Sequence, residues 1–380
     1  MFKRIIAIFK KEIMLSVSLL AAIISLFITP PSKELLHQID WKTLATLFML
    51  LSVLEGFKKE NIFSPLLQKT SRLSSMKFLT CFFVYSVFLS SMFVTNDVSL
   101  IIFVPLTIIL FRAGGKEKYI LPVLTFENIA AIRGSLLTPF GSPQNLFLFS
   151  QSGISAPSFI LMMCPLWIFS AALLFVFISF LYRKNSHERI IIEEKNVCTA
   201  WEPERRKKRI LYLVLFALII TTIVTRTKFW PYVTLAVALA LLIFDRHILR
   251  QTDYVLLLTF LCFFVFSSSI CANPAISTFL KEHVGGHEYI WSILLSQVIS
   301  NVPASIVLWP FTTNLRALIY GLDSAGLCSI IGSLASVINL RIYIREYPGN
   351  GWKFIKTFTW ISLIFFAIVV LPQLWLILKF

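Results

Sequence analysis

The sequence predicts an all-α polytopic membrane protein made of two inverted repeats, each with a re-entrant hairpin and a discontinuous helix. Three observations support this fold class. Of the 380 residues, 57% are hydrophobic and only 14% are charged, whereas soluble domains are about 25% charged. Apolar runs of about 20 residues, which cross a bilayer as a helix, recur along the chain. Polar residues interrupt these runs at corresponding places in the two halves.

The basic residues indicate how the chain crosses the membrane. The net charge is +16, and Lys and Arg collect in short loops between apolar runs, above all at 57–77 and 183–209. Basic loops remain cytoplasmic in membrane proteins, so these loops and the basic N-terminus are predicted inside. A nucleic-acid partner is disfavoured because no folded module carries a basic face with interleaved aromatic residues.

Each element of the first half follows from this placement. The stretch around 79–112 is basic at both ends and broken in its middle, so it is predicted to enter and leave on the cytoplasmic side. The first half then comprises crossings at 14–30 and 41–56, the hairpin 79–112, a broken helix at 119–150 and a crossing at 158–182.

The second half follows in the same way, with its hairpin predicted to enter from outside. It comprises crossings at 210–226, 231–245 and 254–271, the hairpin 289–313, a broken helix at 321–340 and a last crossing at 357–379. The whole chain is predicted to make about nine crossings and two hairpins.

An internal repeat supports these elements. The segment IDWKTLATLFMLLSV resembles TDYVLLLTFLCFFVF, Asn96 corresponds to Asn301, and Gly141-Ser142 corresponds to Gly332-Ser333. The predicted units are a first repeat at 1–182, a basic cytoplasmic loop with a linking helix at 183–230, and a second, inverted repeat at 231–380. Inverted repeats with interrupted helices at matching positions are the sequence signature of secondary transporters and of their central site.

The interruptions predict the binding site. Thr95, Asn96 or Asp97 is expected to cap a half-helix at 98–111, and Ser300 or Asn301 a half-helix at 302–312. Such N-termini attract anions, and unwound carbonyls suit Na⁺ or a proton carrier. The alternative is that these residues only cap helices. The predicted substrate-binding residues are Thr95, Asn96, Arg133, Gly141, Ser142, Asn145, Ser300, Asn301, Gly332 and Ser333.

Three ionisable residues lie inside apolar runs, where charge is costly and usually functional. Asp97 and Glu127 are the predicted ion-coupling residues. Arg133 either faces an anionic substrate or pairs with Glu127 or Asp97, and spacing alone does not choose between these roles. Asp323 is predicted to lie at the membrane edge. His283 and His287 are not expected to bind a metal, because Gly285 and Gly286 between them disfavour a helix.

Enzymatic chemistry is not expected. The sequence contains no Gly-rich phosphate loop with a Lys, no GxSxG element and no CxxC pair. No cofactor and no metal are predicted, and an H⁺ or Na⁺ gradient is the remaining energy source.

The motifs resemble the ion transporter superfamily, which groups citrate-type and divalent-anion permeases with arsenite-type and sodium/proton-type permeases. The matching stretches are FVTNDVSLIIFVPLTIIL, NIAAIRGSLLTPFGSPQNL, SQVISNVPASIVLWPF and IIGSLASVINLRIY. In the family's dicarboxylate branch both hairpin tips are Ser-Asn-Thr. Asn96 and Asn301 match the Asn, whereas Asp97 and Val302 depart from the third position. Gly141, Pro143 and Asn145 match the family's broken helix.

The resemblance implies two inverted repeats, often assembled as a homodimer, and an elevator-like movement of the site. The expected function is secondary transport of an organic carboxylate or oxyanion across the lipid bilayer, coupled to H⁺ or Na⁺, in a bacterial inner membrane. The T-N-D tip also favours the alternatives of a cation/proton antiporter or an arsenite-type efflux permease. A non-transporting receptor or assembly subunit is the other class.

Overall fold

The computed structural model describes residues 13–29, 39–60, 75–185, 206–225 and 228–379, which form sixteen α-helices and no strand. The predicted all-α fold class is confirmed. The N-terminal residues and most of the basic loops 57–77 and 183–209 lie outside the described residues.

Seven helices make up the first half of the chain, and all of its predicted elements are helical. A short 3₁₀ turn stands on each side of the fifth helix. The helices are α1 (Ile13–Ile28), α2 (Trp41–Lys59), α3 (Met76–Val94), α4 (Asn96–Ala113), α5 (Ile120–Gly134), α6 (Pro143–Ser152) and α7 (Ala156–Leu181).

The second half contains nine helices. They are α8 (Arg206–Thr225), α9 (Trp230–Gln251), α10 (Tyr254–Ala272), α11 (Pro274–Val284), α12 (Glu288–Ile299), α13 (Asn301–Leu308), α14 (Leu315–Cys328), α15 (Leu334–Glu346) and α16 (Gly351–Lys379). Helix α9 kinks at Asp245, where the predicted crossing 231–245 ends. Helix α11 was not predicted. It begins because Pro274 occupies its first turn and Asn273 accepts hydrogen bonds from the first backbone N–H groups.

The described residues contain eight helices long and apolar enough to cross a membrane. Large apolar side chains cover their outer faces: Leu161 is 73% exposed, Ile243 74% and Leu371 72%. Exposed apolar surface of this extent is stable against lipid and not against water. The prediction of a polytopic membrane protein is therefore confirmed.

The two predicted hairpins differ in length. Each leg of the first, α3 and α4, is long enough to cross a bilayer, whereas α12 and α13 have 12 and 8 residues. The ends of the second hairpin lie side by side, because Glu288 Oε1 accepts a hydrogen bond from Thr313 N at 2.8 Å. The depth of both turns in the membrane stays a prediction.

Contacts between helix ends agree with the predicted topology. Lys59 and Lys208 both contact Asp245, at N–O distances of 2.8 and 3.3 Å, and all three were placed on the cytoplasmic side. Asp40 accepts a hydrogen bond from Gln151 at 2.7 Å, and both were placed outside. These contacts join ends that must share a face, but they do not decide which face is cytoplasmic.

The two broken helices form the centre of the molecule. Every residue of α5 except Pro122 is buried, as are residues 317–327 of α14. Buried hydrogen bonds join the two: Gln144 Nε2 donates to Asp323 Oδ1 at 3.2 Å, and Asn128 Nδ2 donates to Ser336 Oγ at 2.9 Å. The first break, and Gly332 and Ser333 of the second, are thus enclosed by protein, as interrupted backbone at membrane depth requires.

Candidate functional site

The tips of the two predicted hairpins have the same unusual backbone. Thr95, between α3 and α4, has φ 72° and ψ 157°, and Ser300, between α12 and α13, has φ 71° and ψ 159°. No other described residue except glycine has a positive φ. Positive φ is unfavourable for a β-branched residue such as Thr, and such strain persists where surrounding contacts enforce it.

Each tip is held by the break of the neighbouring discontinuous helix. Asn96 N donates to the carbonyl of Gly141, and Asn301 N donates to the carbonyl of Gly332, both at 3.2 Å. The structure therefore brings together Thr95 and Asn96 with the first break, and Ser300 and Asn301 with the second. In the first half of the chain, α5 continues into the 3₁₀ turn Ser135–Leu137, and the helix stops before Gly141. In the second half, α14 ends at Cys328, before Gly332.

The residues of each break explain why the helices stop there. Ser142 precedes Pro143, and its hydroxyl accepts a hydrogen bond from Asn145 N at 3.4 Å, which begins α6. Asn145 Nδ2 also donates to the Ser135 carbonyl at 3.3 Å, closing the loop between the half-helices. A Cβ on Gly141 would collide with that same Ser135 carbonyl, so only glycine fits.

The second break is built in a similar way. Ser333 stands at the N-cap position of α15, although its side chain makes no capping hydrogen bond. Gly332 N donates to Ser329 Oγ at 3.3 Å, and a Cβ on Gly332 would collide with the carbonyl of Ala325. Both predicted Gly-Ser pairs thus lie in turns that require the glycine.

The predicted side-chain caps at the tips are wrong in part. The half-helices begin at Asn96 and Asn301, ahead of the predicted starts at 98 and 302, and the side chains of Thr95 and Ser300 cap neither helix. Because both residues have positive φ, they turn the chain instead. Asn96 Oδ1 accepts a hydrogen bond from Asp97 N at 2.9 Å.

Two polar atoms at the tips are buried without a protein partner. They are Oδ1 of Asp97, in the first turn of α4, and Nδ2 of Asn301, in the first turn of α13. Buried polar atoms in native proteins are nearly always satisfied. One free acceptor and one free donor are therefore available to a ligand.

A cavity of about 440 Å³ reaches the second tip. Its walls are mainly apolar side chains of α1, α10, α13 and α15, and Ser300 and Thr259 contribute hydroxyl groups. Asp253 and Arg341 are its charged lining residues. Since Asp253 begins α10 and Arg341 lies near the end of α15, both mark the end that was predicted to face the cytoplasm.

Arg133 and Glu127 are fully buried, but no hydrogen bond joins them to a tip. Arg133 Nε donates to Ser170 Oγ at 3.1 Å, and Glu127 Oε1 accepts from Thr107 Oγ1 at 2.5 Å. Among the described residues no ion pair joins Arg133 to Glu127 or to Asp97. Arg133 therefore makes no direct ion pair with either acid that the sequence offered as an alternative partner.

Asp323 was predicted at the membrane edge, and this is wrong. It lies in the middle of α14, is fully buried and accepts the hydrogen bond of Gln144. The sequence prediction also missed Gln144 and Asn128, whose signal was an amide side chain within an apolar stretch. Within the described residues no group of three or more His, Cys, Asp or Glu side chains could hold a metal ion.

Interrupted helices that meet around buried polar groups, inside a set of membrane-crossing helices, define the architecture of a secondary membrane transporter. Known proteins agree with this class. The profile of the citrate transporter family matches residues 4–332, so the chain belongs to the citrate transporter family. The predicted resemblance is confirmed, and the protein is a multi-pass membrane transporter for a small ionic substrate.

Two relatives show how far the similarity extends. An uncharacterized transporter of Methanocaldococcus jannaschii is 33% identical over 310 residues, which are 81% of this chain and 83% of the relative. The inner membrane protein YbiR of Escherichia coli is 30% identical over 360 residues, which are 92% of this chain and 93% of the relative. The similarity therefore covers both halves of the chain.

Proposed function

We propose that the protein is a secondary active transporter that moves a small anion, either an organic carboxylate or an oxyanion. Transport is coupled to an H⁺ or Na⁺ gradient. The anion binds between the two tips and the two breaks. Thr95, Asn96 and Gly141-Ser142 contribute from the first repeat, and Ser300, Asn301 and Gly332-Ser333 from the second.

The matched geometry of the tips is the observation that supports this site. Two segments 205 positions apart in the sequence adopt the same strained backbone and donate the same hydrogen bond to a glycine carbonyl. Strained residues of this kind cluster at ligand sites. An inverted repeat explains why the geometry occurs twice, and the units 1–182 and 231–380 remain our assignment of that repeat.

The helix directions favour an anion at this place. Helices α4 and α13 both begin at a tip, where their first N–H groups lack partners within the helix and carry partial positive charge. Asn301 Nδ2 is a further donor that lacks a protein partner. Two helix N-termini and the free amide donor of Asn301 are suited to carboxylate or oxyanion groups.

Asp97 supports a second candidate function. Its carboxylate lies at the first tip with one oxygen free of protein partners, so it is placed to hold the coupling proton or cation. If that cation is itself the cargo, the protein is a cation/proton antiporter. An Asp97→Asn variant that keeps Na⁺-driven proton flux in proteoliposomes would remove this candidate and the coupling role of Asp97 together.

The transport mode follows from the same residues. In our proposal the tips and breaks move together across the membrane as an elevator, the protein is a homodimer, and the N-terminus is cytoplasmic. We place the protein in the inner membrane of a bacterium. The contacts of Lys59 and Lys208 with Asp245 are consistent with these helix ends sharing one face of the membrane.

Uptake by proteoliposomes tests the site. The purified protein is assayed with labelled citrate, succinate, phosphate, sulfate and arsenite under an imposed H⁺ or Na⁺ gradient. Loss of one hydrogen bond to a charged ligand weakens binding by about 1.5–3 kcal/mol, or roughly ten- to hundredfold. We expect this loss for Asn96→Ala and Asn301→Ala.

Asn185→Ala is the matched control, because Asn185 lies beyond the end of α7, where its side chain donates to the hydroxyl of Tyr119 at 3.3 Å. It should transport like the wild type. Full transport by both tip variants would disprove the site, and a wild type that moves none of citrate, succinate, phosphate and sulfate would disprove the substrate class.

A further inference from the structure

Arg133 is buried in a way that demands a partner. The side chain is fully buried, and its Nε bonds Ser170, but its Nη1 and Nη2 have no protein partner within hydrogen-bond distance. A guanidinium ion without compensation costs several kcal/mol in a protein interior. Ser170 is neutral and cannot balance the charge.

Asp323 is a buried acid that likewise lacks a partner for one of its polar atoms. Its side chain is fully buried, Oδ1 accepts a hydrogen bond from Gln144, and Oδ2 has no protein partner. The helices of the two residues touch at this level: a Cβ on Gly326, one turn beyond Asp323 on α14, would stand 2.9 Å from Cδ1 of Ile132, the residue before Arg133 on α5. The two groups lie beyond ion-pair contact, and a water molecule commonly bridges buried polar groups at such separations.

The remaining neighbours supply no competing charge. The other groups with an electrostatic effect on Arg133 are the phenols of Tyr289 and Tyr320, which carry no charge at neutral pH. Tyr289 donates its own hydroxyl to Gln373, and Tyr320 donates to the carbonyl of Met162. Asp323 is therefore the acid that we assign to Arg133.

The position of this pair gives it a role in the site. Arg133 stands just before the first break, and Asp323 lies on the helix that leads into the second. Gln144, which bonds Asp323, lies between Ser142 and Asn145 of the first break. The charge pair and the Gln144 hydrogen bond thus connect both breaks across the two proposed repeats.

We propose that Arg133 and Asp323 form a buried charge pair, bridged by water, that keeps the two breaks in a fixed position relative to each other. Arg133 is then a positioning residue and does not bind the transported anion. This inference rests on the proposed function for its role in transport, whereas the pair itself is independent of what is transported.

Charge neutralisation tests the pair without knowledge of the substrate. Arg133→Met and Asp323→Asn are prepared singly and together, and thermal unfolding is measured in detergent. Each single variant leaves one buried charge unbalanced, so its ratio of folded to unfolded protein should fall more than roughly tenfold. The double variant removes both charges, so this ratio should return to within about threefold of the wild-type ratio.

Arg133→Met with Glu127→Gln is the matched control. It also replaces Arg133 together with one buried acid, but Glu127 is bonded to Thr107 and not to Arg133. We expect no rescue by this combination. A double variant of Arg133 and Asp323 that folds no better than Arg133→Met, or an equal rescue by Glu127→Gln, would overturn the pair.

Citrate uptake tests the positioning role separately. If the wild type takes up citrate, the folded Arg133→Met/Asp323→Asn variant should keep a KM within about threefold of wild type, because no substrate contact is lost, while its kcat falls because the breaks lose their fixed relative position. A KM raised more than about tenfold with kcat unchanged would show that Arg133 binds the substrate, and an unchanged kcat and KM would show that the pair does not position the breaks. If the wild type takes up no citrate, the proposed substrate fails while the unfolding measurements still decide the pair.

Discussion

Gly326 gives the sharpest prediction about how closely α14 must approach the second break and α5. It lies on α14, and a Cβ at this position would stand 2.7 Å from Cβ of Ser333 in the second break and 2.9 Å from Cδ1 of Ile132 on α5. Non-bonded carbon atoms pack at about 3.5–4.0 Å. The added methyl group of Gly326→Ala therefore requires its neighbours to move away from it by roughly 1 Å.

The two neighbours respond differently to that demand. The end of the Ile132 side chain can rotate, but Ser333 Cβ is fixed to the backbone of the break, so the break itself must shift. Overpacking of this size costs about 1–3 kcal/mol of stability. Because a displacement of about 1 Å in a binding site can cost two orders of magnitude in rate, we expect transport to fall by more than tenfold.

Thermal unfolding and anion uptake measure the two effects in one preparation. Gly351→Ala is the matched control, since a Cβ there meets only the flexible side chain of Ile344, at 3.0 Å. It should be neutral. If Gly326→Ala unfolds and transports like the control, then α14 and the second break tolerate a wider spacing than the structure shows, and the reasoning from close approach fails.

Two further substitutions probe the buried centre. Gly141→Ala should abolish uptake, because the added Cβ collides with the rigid carbonyl of Ser135. The collision displaces the Gly141 carbonyl, which accepts the hydrogen bond from Asn96. Normal uptake would contradict this prediction. Gln373→Leu should lower the free energy of unfolding by about 1–3 kcal/mol, because the buried hydroxyls of Tyr289 and Ser324 lose their partner. The Gln373→Leu/Tyr289→Phe double variant removes one of the orphaned hydroxyls. Its free energy of unfolding, measured by denaturation, should therefore recover part of that loss.

The positions of the breaks could be predicted because they leave a local trace. Polar and glycine residues are rare in membrane-crossing runs, so Asn96, Gly141, Asn301 and Gly332 stood out by type alone, and their order in the two halves paired them. Each of these residues lies at a helix interruption in the structure.

The partners of the buried charges could not be predicted in the same way. Gln144 and Asp323 are 179 positions apart, and no periodicity relates them. The pairing arises from the way α6 packs against α14, which a linear pattern does not contain. Sequence spacing favoured nearby acids for Arg133, and the structure shows that the nearest acid in sequence, Glu127, is already occupied by Thr107.

The conformations of Thr95 and Ser300 were also beyond local prediction. Both residue types favour a capping role next to a helix, and β-branched Thr disfavours positive φ. The hydrogen bonds that Asn96 and Asn301 donate to the breaks enforce the opposite result. Tertiary contacts override local propensity here, and they do so at the proposed site.

The number of buried charges constrains where a coupling cation can bind. Within α4, α5 and α14, the acids Asp97, Glu127 and Asp323 each keep one oxygen without a protein partner. Arg133 can balance one of them, and we assign it to Asp323. Since uncompensated carboxylates are costly in the membrane interior, the other two must bind a proton or a cation. Asp97 lies at a tip, whereas Glu127 is enclosed behind Thr107, so our proposals together place the exchangeable cation at Asp97, beside the anion that it drives.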